Sequence, residues 1–242
     1  MNISELPRLR RNSKRFGEVV AVLVKYNLAP WLNRIKADWM QPLLRSADGE
    51  SITEMSAPVR VRKALTELGT TAIKLGQILS TRSDLVGRDI AAELSHLQSG
   101  APADAPASVS DTIEHELGKP AKEVFGSFDA QAFASASIGQ VHMAHLPNGE
   151  QVVVKVQHQG IADKIQNDLE ILLDLAKLAE AFSPELARYR PLALATEFRK
   201  TLLAELDFTR EQRNATRFAE NFADDERIRF PLPTWIAAHP VC

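Results

Sequence analysis

The chain has 242 residues, 45% of them hydrophobic and 25% charged, with a net charge of −2. That length supports one large domain or two small ones, the composition is ordinary for a globular protein, and the charge excludes nucleic-acid binding through the bulk field of the molecule. The single cysteine, Cys242, excludes a disulfide framework and a cysteine-based metal site, and points to a reducing compartment.

Charge is unevenly spread. Residues 1–45 carry nine Lys/Arg against three Asp/Glu, so a basic arm precedes an acidic body. Anionic membrane lipid is the candidate partner of such an arm. Its apolar run, Val19 to Val24, stops at Lys25, which is short for a secretory signal and far too short to cross a bilayer. The expectation is a cytoplasmic chain with no signal peptide and no transmembrane helix, peripheral at the inner membrane where the basic arm engages lipid.

Residues 1–100 read as helical, with Pro30 and Pro58 where helices can begin. From Pro58, the residues Val61, Leu65, Leu68, Ala72, Leu75 and Leu79 recur at steps of three or four, one apolar stripe on a long helix. On that helix "IKLGQ" sets Lys74 and Gln77 on one face, and Gly76 costs about 1 kcal/mol relative to alanine. Close helix packing explains a glycine there; so does a partner or ligand approached by Lys74 and Gln77. A second helical segment, "RDIAAELSHLQ", follows Gly87. Ser99 to Ser108, "SGAPADAPAS", is a Pro/Ala-rich connector, and "SVSDTIEHELGKP" a short helix with its stop.

Strands are expected at about 131–138, 140–146 and 150–157, the last rich in valine. Before the second strand, Ala134-Ser135-Ala136-Ser137-Ile138-Gly139 keeps side chains small, and small residues let backbone N–H groups approach a phosphate, with Ser135 and Ser137 as extra hydroxyl donors. The same loop reads equally as a packing device. Lys155 projects away from the face that Val154 and Val156 occupy. Two further helices follow, "IADKIQNDLEILLDLAKLAEAF" and one running from Pro191 without Gly or Pro through "ELDFTRE". That segment supplies Glu205, Asp207 and Glu211. On one continuous helix Glu205 and Asp207 diverge by about 200°, whereas Asp207 and Glu211 share a face. Either these carboxylates are divided between a ligand cleft and the interior, or they are surface charges. The end, "RIRFPLPTWIAAHPVC", holds room for one more strand.

Four motifs in order, "KLGQILSTRSDL", "AFASASIGQVHMAHL", "VVVKVQHQGI" and "ELDFTREQRNATRF", resemble the UbiB family of atypical kinases, also called aarF-domain or ADCK-type kinases. The resemblance runs from about residue 50 to the C-terminus. It implies an α+β fold: a helical N-terminal extension, residues 1–98, packed on the small lobe of an atypical protein-kinase-like fold, residues 109–242, with an antiparallel sheet, long helices and a family-type insert at about 160–183. It implies that Lys74, Gly76 and Gln77 form the KxGQ signature and meet Glu205 and Asp207 of the ExD motif. Ala134 through Gly139 would lie over the phosphates of ATP or ADP, with Lys155 touching them and Glu211 as its partner.

The implied activity is that of a kinase or ATPase supporting ubiquinone, or another isoprenoid quinone, with a quinone precursor or membrane lipid as further partner. A catalytic Asp, its neighbouring Asn and a metal-binding Asp do not follow Lys155 in this chain, so the ligands of Mg²⁺ are not expected in it and no metal site is assigned. The expectation is a truncated chain lacking the large lobe, completed by a separate large-lobe polypeptide. The alternative is a non-catalytic binding or regulatory module that retains the fold.

Overall fold

The structure, a computed structural model, describes residues 13–28, 55–98, 100–225, 227, 228 and 230. The helix start at Pro30, most of the basic arm and the C-terminal strand expected after Pro231 lie outside these residues. The chain divides into two compact units, residues 1–99 with 163–199, and residues 100–162 with 200–242. The helical insert therefore groups with the N-terminal helices, whereas the sequence reading joined it to the sheet.

In the first unit, α1 (Ser13–Lys25) precedes α2 (Ala57–Leu68), α3 (Thr70–Ser80), α4 (Ser83–Val86) and α5 (Arg88–Leu94). The long helix expected from Pro58 is two helices. Gly69, at φ +91°, ends α2 with its N–H on the Leu65 and Thr66 carbonyls, and α3 starts at the next residue. Only glycine takes that backbone conformation without strain. The apolar stripe spans the break, and α2, α3 and α5 pack on one another around Ala64, Ala91 and Leu94. Helix α1 buries Phe16 and Val20.

Beside the buried face of α1, Arg15 donates from Nε to Asp168 Oδ1 at 2.8 Å and from Nη2 to Asp168 Oδ2 at 3.3 Å and the Leu68 carbonyl at 2.7 Å. These bonds pull the Arg15 guanidinium above its ordinary range, the hydrogen bond to Asp168 contributing most. Asp168 belongs to α8 (Ile161–Phe182), a helix of the expected extent. Lys25 pairs with Glu67 at 2.9 Å. Two cations of the basic arm are thus engaged inside their own unit. Leu173 and Ala176 of α8 pack on Ala195. Between them lies the short helix α9 (Pro184–Ala187), and Ala195 belongs to α10 (Pro191–Glu205). No helix among the described residues is long and apolar enough to cross a membrane.

The second unit is built on an antiparallel sheet. Helix α6 (Pro106–Leu117) begins two residues inside the expected connector, because proline is well placed in a first turn. After α7 (Ala121–Val124) come β1 (Ser127–Phe128), β2 (Ala134–Ser135), β3 (Gly139–His145) and β4 (Gln151–Gln157). The strand expected at 131–138 shrinks to β2, and β1 precedes it outside that range; β1 and β2 both pair with β3, separated by residues 129–133, while β4 lies along the other edge of β3.

One face of this sheet buries Ala144, Val154 and Val156 against Val109, Ile113 and Phe125. The same side holds fully buried His142, stacked on Phe128 at 5.1 Å. His142 Nδ1 lies 2.8 Å from the Asp129 carbonyl, which only accepts, so Nε2 receives the 2.8 Å bond from the Gln140 amide. That chain of bonds anchors Asp129, at the start of the segment between β1 and β2.

The last expected helix is also broken. Helix α10 stops at Glu205 and α11 (Phe208–Asn221) starts three residues later. Asp207 sits between them as the N-cap, its Oδ1 accepting from the Thr209 and Arg210 N–H groups. A short acceptor side chain at this position offers the freed N–H groups a partner, so no Gly or Pro is needed for the break.

Candidate functional site

The exposed face of the sheet carries Lys155. Register places Ala134 opposite Val141 and Val141 opposite Lys155, one rung across β2, β3 and β4. Residues directly opposite share a face. The next rung puts Met143 opposite Val153, and Val153 is 61% exposed. Ala134 of the small-residue loop, an apolar shelf of Val141, Met143 and Val153, and the ammonium of Lys155 therefore lie side by side. Phase alternation in the sequence identifies Val153 as a companion of Lys155, two residues away. The contribution of Val141 and Met143 follows only from the register.

Helix α11 supplies the surroundings of the cation. Glu211 Oε2 is 2.6 Å from Lys155 Nζ, which lies 4.5 Å from the centre of the Phe208 ring. Both members of the ion pair are accessible, at 44% and 63% side-chain exposure. An accessible ammonium held by one carboxylate and one aromatic face can exchange the carboxylate for a phosphate oxygen without unfolding anything. Gln157 anchors the arrangement, its amide donating to the Leu206 carbonyl at 2.5 Å.

Within the loop, Ala134 and Ala136 are exposed and Ser135 is half-buried, whereas Ser137, Ile138 and Gly139 are buried. Of the two serines proposed as donors, Ser135 is the accessible one. Gly139 has a packing reason to be glycine: a Cβ would lie 2.5 Å from the Val156 carbonyl oxygen. The loop closes through an Ala136 N–H bond to the Gly139 carbonyl at 2.9 Å.

The other residues singled out in the sequence have local partners of their own. Gly76 is buried, and a Cβ there would come within 2.3 Å of Leu97 Cδ1 and 2.8 Å of Leu65 Cδ1. Gln77 donates to the Leu97 carbonyl at 3.2 Å, and Lys74 is half-buried on α3. Glu205 is exposed at the end of α10. The reading that Glu205 and Asp207 diverge on one helix is corrected, since the two stand on either side of a helix break. Asp207 is held below the usual carboxylate range by the Thr209 hydroxyl first, then by the Arg210 N–H, the Arg213 charge and the Thr209 N–H. Lys74, Gly76 and Gln77 belong to the first unit and Glu205, Asp207 and Glu211 to the second. Among the described residues, no group of three or more His, Cys, Asp or Glu side chains is arranged to hold a metal ion.

Comparison with known proteins bears on the family and the fold. The chain is 43% identical over 188 residues to a probable protein kinase UbiB of Pseudomonas putida strain F1, covering 78% of this chain and 35% of the relative. A second relative, from Pseudomonas putida strain W619 and described in the same words, is 38% identical over 232 residues, covering 94% of this chain and 43% of its own length. The chain thus spans well under half the length of these relatives. Among solved structures, the Mycobacterium tuberculosis protein Rv3197, in complex with erythromycin, is similar with a TM-score of 0.50 and 30% identity, over 73% of this chain and 44% of that one. A family model described as the ABC1 atypical kinase-like domain matches residues 96–240. Helices around a small antiparallel sheet, four motifs in order and a match over more than half its residues establish that the chain belongs to the ABC1, or UbiB-type, atypical kinase-like family.

Proposed function

We propose that this chain is the nucleotide-binding part of a UbiB-type atypical kinase or ATPase, and that its sheet face takes ATP or ADP. The observation that carries the reading is the rung Ala134–Val141–Lys155, with Lys155 held by Glu211. An apolar shelf beside an accessible cation and a small-residue loop suits a flat base joined to an anionic tail. Lys155 supplies charge to the phosphates, the loop from Ala134 to Gly139 supplies close backbone approach, and Glu211 holds Lys155 in place until the phosphate arrives. By resemblance to the family, Lys74, Gly76 and Gln77 carry its KxGQ signature and Glu205 and Asp207 its ExD motif. The quinone-related role and the affinity of the basic arm for anionic lipid belong to the same reading and rest on the family resemblance and on the sequence charge.

Calorimetric titration of the 242-residue chain with ADP and ATP tests the proposal. Lys155→Ala is expected to weaken binding by about tenfold or more, the loss of one charge-assisted contact. Undiminished binding by that variant, or no binding by the wild-type chain, sinks it.

A further inference from the structure

His158 follows β4 and is buried at 8% exposure, outside the rung just described. Its Nε2 lies 2.8 Å from the Ala136 carbonyl oxygen. A carbonyl only accepts, so Nε2 carries the hydrogen and donates. Its backbone N–H donates to the Ile138 carbonyl at 3.0 Å. One residue thus grips the loop at two carbonyls, through backbone and ring. The Ser135 hydroxyl stands 3.5 Å from the same Nε2.

Asp104 lies against the other side of the ring. Nδ1 faces Asp104 Oδ2 at 3.1 Å, at contact distance though off the hydrogen-bond direction. Asp104 comes from the Pro/Ala-rich connector, which reads in the sequence as a mere boundary. It is fastened to the sheet twice: its N–H donates to Gln140 Oε1 at 2.7 Å, and its Oδ2 accepts from the Gln159 N–H at 3.1 Å. Through Gln140 this chain of contacts continues to buried His142. The exposed end of the small-residue loop is therefore tied to the end of β4 through His158, whose ring lies against Asp104. A loop of Ala and Ser lacks side chains with which to fix its own shape, so its carbonyl directions depend on an outside donor.

We propose that His158 is a positioning residue, its ring lying against Asp104, that fixes the Ala136 carbonyl and so holds the loop in the shape that receives a phosphate. The inference rests on the nucleotide reading above for its function, but the fixing of the loop is measurable without any ligand.

The test pairs two variants of similar size. In His158→Gln the amide nitrogen reaches about as far as Nε2 and keeps the donor to Ala136; in His158→Asn it reaches only about as far as Nδ1. Amide hydrogen exchange over residues 136–138 reads the loop, and calorimetry with ADP alone reads the site. His158→Asn is expected to speed loop exchange and weaken ADP binding by about tenfold, one buried hydrogen bond's worth, with His158→Gln close to wild type in both. Asp104→Ala is expected to act in the same direction as His158→Asn.

Unchanged loop exchange in His158→Asn overturns the proposal. So does a His158→Gln variant as loose as His158→Asn, because the ring would then act by bulk and not by its donor. A wild-type chain that fails to bind ADP counts against the nucleotide reading, and the exchange result still decides whether His158 fixes the loop.

Discussion

Replacing Gly139 by alanine is the sharpest perturbation of the sheet. An ideal Cβ would stand 2.5 Å from the Val156 carbonyl oxygen and 3.3 Å from the Gln157 Cα. Carbon–oxygen approaches start at about 3.3 Å, so β3 and β4 would have to part by roughly 0.8 Å at this point. The obstacles are backbone atoms of the paired strand, which cannot rotate away. Overpacking costs about 1–3 kcal/mol, and the fixed neighbours place this case at about 2–3. At 2–4 °C per kcal/mol, that is a fall in Tm of roughly 4–12 °C.

Two other glycines serve as controls. Gly76→Ala meets only the ends of leucine side chains, and its gain in helix propensity, about 1 kcal/mol, offsets part of the crowding. Gly100→Ala meets nothing within 4 Å and is expected to be neutral or stabilising by under about 1 kcal/mol. Urea unfolding with an unchanged slope measures all three. A Gly139→Ala variant within about 0.5 kcal/mol of wild type, the ordinary range of a surface substitution, would refute the steric argument.

Arg15→Ala leaves the buried Asp168 carboxylate without its guanidinium partner. Because Arg15 is itself only partly buried, the cost is expected at about 2–3 kcal/mol by urea unfolding, below that of a fully buried pair, and Arg15→Lys should not restore it. Lys155→Ala should change stability by less than about 1 kcal/mol by the same measurement, since its ion pair is exposed. Asp207 has a folded pKa below its unfolded value. Its capping contribution is therefore complete above the unfolded value and lost as pH falls through the folded one. Amide protection of Thr209 and Arg210 should decline on acidification below about pH 4, and Asp207→Asn, which caps without titrating, should flatten that dependence.

Alternation and periodicity carried much of this fold in the sequence. The pairing of β3 with β4, the outward face of Lys155 and the extent of α8 are all legible there, because each depends on neighbours close in the chain. The breaks are harder to see. Gly69 interrupts α2 and α3 without interrupting the apolar stripe, so the pattern runs on while the backbone turns. Asp207 ends one helix and starts another by offering a carboxylate to two N–H groups, a device that a search for Gly and Pro passes over. β1 lies outside the strand expected at 131–138, and the segment that follows it is held by the Asp129 carbonyl meeting His142 from another strand, a tertiary event. The same holds at the site. Lys155 and Val153 are a strand step apart and can be paired by eye, whereas Val141, Phe208, His158 and Asp104 join them only once the chain has folded.

The cap at Asp207 bears on how any mutational scan of this region should be read. Glu211 meets Lys155 about one helical turn beyond that cap, so the bearing of α11 determines where its carboxylate arrives. A change at Asp207 misaims Glu211 while leaving every atom of Glu211 and Lys155 present. Scored by a single binding readout, it would be indistinguishable from the loss of Glu211 itself. The two carboxylates form a gunsight, one fixing the line and the other standing at its end, and a scan that cannot tell aim from contact will assign chemistry to the wrong one.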